Sequence, residues 1–281
     1  MKIALYQAQT GIDPARNAEA LVAAIAQASA GGAAMLFTPE MSGLLDRDRA
    51  RAEAHLKDET DDLVLAAVRE AAERSKLWIH LGSLALRGGP DGKLVNRGFV
   101  IDDQGTIRAR YDKIHLFDVD LPTGESWRES AAYAPGGQPV VVDTPVGRLG
   151  LSICYDIRFP DLYRSLTDAG ATMLAVPAAF TVPTGKAHWH ILLRARAIEA
   201  GVFVVAAAQA GHHADGRDTF GHSLVVDPWG TILLDMETEQ GVGFAEIELE
   251  RVAEVRRRLP AIEHRRPIAP LESQQSVDDR F

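Results

Sequence analysis

The first forty residues alternate between short apolar runs and one alanine-rich helical pattern. Residues 3–8 and 33–38 are predicted to be strands, and Pro14 to Ala30 is predicted to be the helix between them. Asp13 suits the N-cap of this helix, and a proline is well tolerated at the first helical position. The glycine pair that begins at Gly31 ends the helix. Because strands joined through a helix are favoured to run parallel, the chain opens as a β-α-β unit.

Further along the chain, turn-forming clusters interrupt this alternation. The clusters at 88–92, 102–105 and 144–147 leave only a few residues between apolar runs, which is the pattern of antiparallel hairpins. Parallel units mixed with hairpins favour a mixed α/β sheet, or two stacked sheets covered by helices. The other predicted elements are the helices 61–75, 160–169, 186–200 and 249–258, and the strands 77–86, 94–102, 105–111, 139–143, 147–153, 171–176, 202–208, 222–227, 230–235 and 242–248.

Composition limits the classes of function. The 281 residues can bury a full core, and we expect 1–270 to form a single domain with a polar tail at 271–281. The formal net charge of −9 argues against a nucleic-acid partner, which needs a basic face. The longest apolar run, 202–208, is about a third of the ~20 residues that span a bilayer, and no signal-peptide pattern is present. We therefore expect no membrane partner and a cytoplasmic location.

Cys154 is the only cysteine, so the sequence excludes an intrachain disulfide and any cysteine-cluster metal site. An apolar strand ends at this residue, a polar turn follows, and Pro160 begins a helix. A nucleophile at such a corner is exposed, and nearby backbone N–H groups can face a developing oxyanion. A buried structural thiol is an equally good interpretation of the local pattern, because free cysteines are often buried.

Three charged residues also lie where chemistry is common. Glu40 ends the second strand, where α/β folds place ligands and where burial would favour a general base; alternatively, it is a cap or a loop residue. Lys113 precedes the long irregular loop 117–139, and a lysine near a thiol lowers the pKa of the thiol and can hold an oxyanion. Glu129 lies in the same loop. Each of the last two could instead be a solvated surface charge.

The histidines do not suggest a metal or a thiol-activating base. His188 and His190 are two residues apart at the start of a predicted helix, and His212 and His213 lie in a polar loop. None of these has the i, i+4 spacing of a helical zinc site, so we expect no metal. No glycine-rich nucleotide fingerprint follows a strand, and we expect no cofactor.

Three separated segments resemble the nitrilase superfamily of carbon–nitrogen hydrolases. They are 37–40, 111–118 and 153–160, and they contain Glu40, Lys113 and Cys154 in the order that the family has them. The resemblance covers nearly the whole chain. It implies a four-layer α-β-β-α sandwich and usually a homodimer whose helices pack across a two-fold axis, or a higher homo-oligomer.

The resemblance also implies a role for each site residue. Glu40 would take the proton from Cys154 and later activate water. Lys113 and the backbone N–H of Tyr155 would hold the tetrahedral oxyanion, and Glu129 would orient the lysine and the substrate. The implied reaction attacks an amide carbonyl, releases ammonia or an amine, and hydrolyses a cysteine thioester without a cofactor.

Segments at 178–181, 184–189, 193–199 and 221–230 resemble the amidase branch of this superfamily. Its members act on deaminated glutathione or on omega-amides of α-keto acids, so the implied partner is a small carboxylate-bearing amide that needs a cationic anchor. Arg158 is the candidate anchor, and Phe180 and Thr181 are candidate pocket walls.

Alternatives stay open at this point. Arg158 could form a structural ion pair with Asp156 or Asp161 instead of binding substrate. A nitrilase or an N-carbamoyl amino acid amidohydrolase would use the same three residues. A protein of another class, an inactive dimeric binding module, could share the fold.

Overall fold

The computed structural model describes residues 1–120, 124 and 126–269; the predicted tail at 271–281 lies outside them. The strands are β1 (Lys2–Gln7), β2 (Met35–Phe37), β3 (Trp78–Leu86), β4 (Val95–Ile101), β5 (Ile107–Asp112), β6 (Asp118–Asp120), β7 (Ser126–Arg128), β8 (Val141–Thr144), β9 (Gly147–Leu151), β10 (Met173–Ala175), β11 (Phe203–Ala206), β12 (Ala210–His212), β13 (Asp218–Phe220), β14 (Leu224–Val226), β15 (Ile232–Asp235) and β16 (Gly241–Glu246). The helices are α1 (Pro14–Ala30), α2 (Arg49–Glu53), α3 (Leu63–Ser75), α4 (Pro160–Asp168), α5 (Val182–Ala200) and α6 (Glu250–Arg258).

Two six-stranded mixed sheets form the centre of the fold. The first has the order β16-β1-β2-β3-β4-β5, and the second has the order β15-β14-β11-β10-β9-β8. In the first sheet β1, β2 and β3 run parallel, and in the second β9, β10 and β11 do. The remaining neighbours pair antiparallel through hairpins or returning strands. The predicted mixture of parallel units and hairpins is therefore confirmed.

Side-chain alternation within the strands creates the layers. Ile3 and Leu5 of β1 belong to the core that the two sheets share, whereas Ala4 packs with residues of α1 and α3. Leu162 of α4 and Leu193 of α5 join the core on the side of the second sheet. Because a strand sends successive side chains to opposite faces, each sheet is covered by its partner sheet on one face and by helices on the other. The four-layer α-β-β-α sandwich is confirmed.

Local signals explain where the first helix begins. The Asp13 side chain accepts hydrogen bonds from the backbone N–H groups of Ala15 and Arg16, and Pro14 occupies the first turn.

None of the described helices is both long and apolar enough to cross a bilayer.

The predicted start of α5 was wrong. The helix begins at Val182, four residues before the predicted residue 186. Gly185 lies inside the helix and packs against Phe220: a Cβ atom at this position would lie 2.2 Å from Cγ of that ring. Gly185 is therefore required for close packing rather than for a turn.

Several short elements were not predicted. The loop predicted at 117–139 contains the pair β6–β7 and a single 3-10 turn at Glu129–Ala131, and the predicted polar loop around His212 contains the pair β12–β13. The five-residue helix α2 was also missed, although its N-cap Asp48 accepts from the backbone N–H groups of Ala50 and Arg51.

Candidate active site

The three residues of the predicted triad lie beyond the carboxyl ends of three strands. Glu40 follows β2, Lys113 follows β5 directly, and Cys154 follows β9. Strand β5 is separated from β3 by two antiparallel pairings, so it runs in the same direction as the parallel strands of its sheet. The same edge of the two stacked sheets therefore carries all three side chains.

Lys113 lies between two carboxylates. Its Nζ atom donates to Oε1 of Glu40 at 2.8 Å and to Oε2 of Glu129 at 2.9 Å. Glu40 is 4% exposed and Lys113 is 2% exposed, so the ion pair is buried. A lysine ammonium has three N–H donors, and two of them are used by these contacts. The third remains for another acceptor in the site.

Cys154 is the first residue of a 3-10 turn, Cys154–Arg158, and has a φ of +52°. Its backbone N–H donates to the carbonyl of Pro177 at 2.8 Å. Its thiol is buried and lies close enough to Glu40 and Lys113 for both charges to affect its pKa. A non-glycine residue with positive φ is strained and is often functional. Tyr155 follows in the first turn, where helical N–H groups have no partner within the helix.

The electrostatics favour a neutral thiol at rest. Burial, and then the negative charge of Glu40, raise the pKa of Cys154 well above its usual value, although Lys113 opposes this shift. Burial alone would lower the pKa of Lys113, but the carboxylates of Glu129 and Glu40 outweigh burial and raise it. Two carboxylates and one ammonium already give the cluster a net negative charge, which disfavours a thiolate. A thiol in this position would therefore need a base before it could act as a nucleophile.

Asn96 is a site residue that the sequence analysis missed. It is buried in β4, and its Nδ2 donates to Oε1 of Glu40 at 2.9 Å and to Oε1 of Glu129 at 3.3 Å. The backbone N–H of Ala179 donates to Oε2 of Glu40 at 3.1 Å. These donors fix the orientation of the carboxylate. The available signal was a polar side chain next to Arg97 near the start of a strand whose remaining side chains are apolar.

Asp156 holds the turn that carries Cys154. Its buried carboxylate accepts hydrogen bonds from Tyr111 Oη at 2.7 Å, from the backbone N–H of Ile153 at 2.8 Å, and from His115. These contacts join the turn to β5 and to the segment after Lys113. Asp156 is thus occupied by partners other than Arg158.

A cavity of about 870 Å³ opens next to the triad. Arg158, Phe180 and Thr181 line this active-site cavity together with Cys154. The guanidinium of Arg158 lies 5.6 Å from the centre of the Phe180 ring. Among the described residues no carboxylate lies within 4.0 Å of Arg158, so the expected alternative of an ion pair with Asp156 or Asp161 is not observed.

The histidines have other partners. His213 is buried and hydrogen-bonds the Thr10 carbonyl and the Thr219 hydroxyl. His190 and His222 both contact the carboxylate of Asp235 at 2.9 Å, and the three groups could ligate a cation. The sequence could not indicate this cluster because its members come from three separate elements. The same distances are those of ordinary His–Asp hydrogen bonds, so the absence of a metal stays a prediction.

Comparison with known proteins identifies relatives over most of the chain. A family model described as carbon-nitrogen hydrolase matches residues 2–257. The deaminated glutathione amidase of Yersinia enterocolitica is 40% identical over 272 residues, which are 96% of this chain and 94% of that protein. The human deaminated glutathione amidase is 38% identical over 269 residues, covering 94% of this chain and 82% of that protein.

A solved structure agrees with the sequence relatives. The crystal structure of the Caenorhabditis elegans NitFhit protein matches with a TM-score of 0.87 and 39% identity. The match covers 94% of this chain but only 65% of that longer chain. The family model spans all three segments that carry Glu40, Lys113 and Cys154. The chain therefore belongs to the carbon–nitrogen hydrolase family of the nitrilase superfamily, and it is an amidase-type hydrolase of carbon–nitrogen bonds other than peptide bonds.

Proposed function

We propose that this protein hydrolyses a small carboxylate-bearing amide through a thioester on Cys154. The substrates that we favour are deaminated glutathione and omega-amides of α-keto acids. The observation that carries the proposal is a buried thiol that lines one cavity with Glu40, Lys113 and Arg158, where Lys113 donates to Glu40 at 2.8 Å. The names of the relatives support the choice of substrate.

In the first half of the reaction, Glu40 accepts the proton of the Cys154 thiol while sulfur attacks the amide carbonyl. The carbonyl oxygen becomes an oxyanion, which accepts hydrogen bonds from the free N–H of the Lys113 ammonium and from the backbone N–H of Tyr155. Glu129 keeps the ammonium in place. The carbon–nitrogen bond then breaks, and the leaving amine or ammonia takes the proton from Glu40.

In the second half, the thioester reacts with water. Glu40 is a carboxylate again and removes a proton from the attacking water, so a second oxyanion forms at the same donors. The carbon–sulfur bond breaks, the sulfur of Cys154 recovers the proton, and a free carboxylic acid leaves. Every proton is returned, and no cofactor takes part.

Arg158 is the proposed anchor for the substrate carboxylate. Its guanidinium faces the aromatic rings of Tyr155 and Phe180 at 5.8 and 5.6 Å, and among the described residues it is within hydrogen-bond distance only of the ring of His188, at 3.4 Å. A guanidinium can bind a carboxylate in a bidentate manner, and such charge-assisted pairs are strong. Phe180 and Thr181 would form the walls around the acyl chain.

We also propose that residues 1–270 act as one catalytic unit and that this unit is a homodimer. Glu40 from the first half of the chain and Cys154 from the second half share one site. Several large apolar side chains are exposed on one side of α5, the β14–β15 turn and the end of α6. Three of them, Ile198, Trp229 and Leu259, border a single small cavity, so the exposed apolar surface is continuous.

The proposed location is the cytoplasm. A nucleophilic thiol must remain reduced to act, and reducing compartments keep single cysteines in that state.

The experiment that tests the function is a substrate panel with purified protein. Deaminated glutathione, α-ketoglutaramate, an N-carbamoyl amino acid and a simple nitrile are offered at equal concentration, and the acid product and ammonia are quantified. We expect 2-oxoglutarate from one or both of the first two substrates. Turnover of only the nitrile or the carbamoyl compound would overturn the proposed substrate class, and no turnover of any compound would favour a binding module.

A further inference from the structure

The active-site cavity is positively charged in an acidic protein. The chain has a formal net charge of −9, but the described residues that line the cavity include eight Lys and Arg against five Asp and Glu. Walls of one sign raise the local concentration of ligands of the opposite sign. The cavity therefore favours a substrate with more than one negative charge.

Half of these cations already have an acidic partner. The four ion pairs are Lys113 with Glu40, Arg87 with Glu53, Arg128 with Asp120, and Arg217 with Asp215. The four cations that have no carboxylate within 4.0 Å, among the residues that the structure describes, are Arg47, Arg49, Lys93 and Arg158. Arg158 is accounted for by the acyl carboxylate of the proposed function, which leaves the other cations without an assigned partner.

Arg49 and Lys93 converge on one short segment. Nη2 of Arg49 donates to the carbonyl of Arg128 at 3.2 Å, and Nζ of Lys93 donates to the carbonyl of Ser130 at 2.9 Å. The two carbonyls flank Glu129, whose own carboxylate is already engaged by Lys113. Because the two carbonyls are two residues apart, both cations lie beside the same segment, where one anion can attract both charges. Both side chains retain unused N–H donors for such an anion.

This pair comes from a different part of the chain from Arg158. Arg49 belongs to α2 and Lys93 precedes β4, both in the first half of the chain, whereas Arg158 lies in the turn after Cys154. The cavity is also lined by apolar side chains from the first half of the chain: Leu56, Ala85 and Leu94. A cavity of about 870 Å³ is within the range of roughly 300–1,000 Å³ that suits a drug-sized ligand. These residues thus give the cavity apolar surface and two further cations.

We infer that Arg49 and Lys93 form a second anion subsite, which binds a carboxylate on the amine that leaves. This inference rests on the proposed function and deepens it. The preferred substrate is an amide with a carboxylate at each end: an acyl group that carries one, and an amino acid or short peptide as the leaving amine. The subsite selects such substituted amides over primary amides, which release only ammonia.

Three substrates with the same acyl group test the subsite, because all three yield 2-oxoglutarate. They are α-ketoglutaramate, deaminated glutathione, and deaminated glutathione with its C-terminal carboxylate converted to a carboxamide. For the wild-type protein we expect kcat/KM to be at least about tenfold higher for the free acid than for the carboxamide, as a charge-assisted contact predicts. R49Q and K93Q should each reduce this ratio several-fold, and the double variant should bring it close to one.

R51Q is the matched control, because Arg51 lies in the same short helix but pairs with Asp46 and does not line the cavity. It should leave the ratio unchanged. A wild-type ratio near one, with 2-oxoglutarate released from all three substrates, would overturn the subsite while the proposed function stands. Release of 2-oxoglutarate from none of the three would overturn both. A ratio that survives in the double variant would show that other residues bind the distal carboxylate.

Discussion

Cys154 carries its proton at rest, and this sets the chemistry that the site requires. The thiol is buried beside a cluster with one ammonium and two carboxylates, so its pKa is raised well above the usual value. A thiolate held ready by an imidazolium would need a histidine partner, but none of the described histidine contacts involves this residue. Proton transfer to Glu40 during the attack fits the geometry.

The first prediction concerns the nucleophile. C154S and C154A should lose essentially all amide hydrolysis, because neither side chain supplies sulfur for the thioester. Initial rates of acid production test this, and circular dichroism and thermal unfolding should show that the fold is kept. Retention of wild-type activity by either variant would remove the thioester mechanism.

The second prediction concerns Glu40. In E40Q, hydrolysis should fall by about 10²-fold or more, because the proton acceptor is lost. The same change removes a negative charge next to the thiol, so the pKa of Cys154 should fall. Alkylation by iodoacetamide, measured from pH 6 to 11, should therefore begin at lower pH than in the wild-type protein.

The control for this prediction is E53Q. Glu53 also lines the active-site cavity, but it pairs with Arg87 rather than with the triad. Its loss should not shift the alkylation profile. An unchanged alkylation profile in E40Q would contradict the view that the carboxylate of Glu40 sets the pKa of the thiol.

At the scale of elements, β3 positions the loops that carry the site. Gly82 lies in the interior of β3, where a Cβ atom would be 2.2 Å from the Thr38 carbonyl oxygen, 2.4 Å from the Pro39 carbonyl oxygen and 2.6 Å from Cβ of Pro177. The first two belong to the segment that leads to Glu40, and Pro177 accepts the backbone N–H of Cys154. Because Gly82 has no side chain, the segment that leads to Glu40 and the segment that contains Pro177 can both approach β3.

The third prediction follows from this close approach. G82A should destabilise the protein by about 1–3 kcal/mol, as overpacking usually does, and should lower kcat/KM by at least tenfold because Glu40 and Cys154 move apart. Thermal unfolding and steady-state kinetics measure the two effects. G137A is the control, because a Cβ atom there meets open space. Normal stability together with normal activity in G82A would contradict the argument.

Helices and strands could be predicted where several local signals agree over a long segment of the sequence. The helix of Pro14 to Ala30 and the apolar strands were found because caps, prolines and periodicity all point to the same structure. The pairs β6–β7 and β12–β13 were missed because three-residue strands such as Asp118–Asp120 have no apolar run, and only their pairing defines them. In the same way, Glu40, Lys113 and Cys154 were found through a family resemblance, whereas the role of Asn96 depends on contacts between separate strands.

At the scale of the whole molecule, we expect the exposed apolar surface on α5 and the β14–β15 turn to be buried against another protein chain. Ile191 and Ile198 are seven residues apart on α5, on one face of the helix, and are 69% and 45% exposed. Trp229 is 55% exposed and borders the same small cavity as Ile198. A contiguous apolar patch of this kind is typical of a protein interface. In a two-fold dimer, the same patch would be buried on both subunits.

The last prediction tests the dimer. I198E and W229E should each convert a dimer into a monomer at micromolar concentration, because every interface would then bury two new carboxylates without partners. Light scattering coupled to size-exclusion chromatography gives the mass directly. I268E is the matched control: Ile268 is 92% exposed and does not border the cavity between α5 and α6, so its charge should leave the mass unchanged. A monomeric wild-type protein, or dimers that persist in both variants, would exclude this face as the interface.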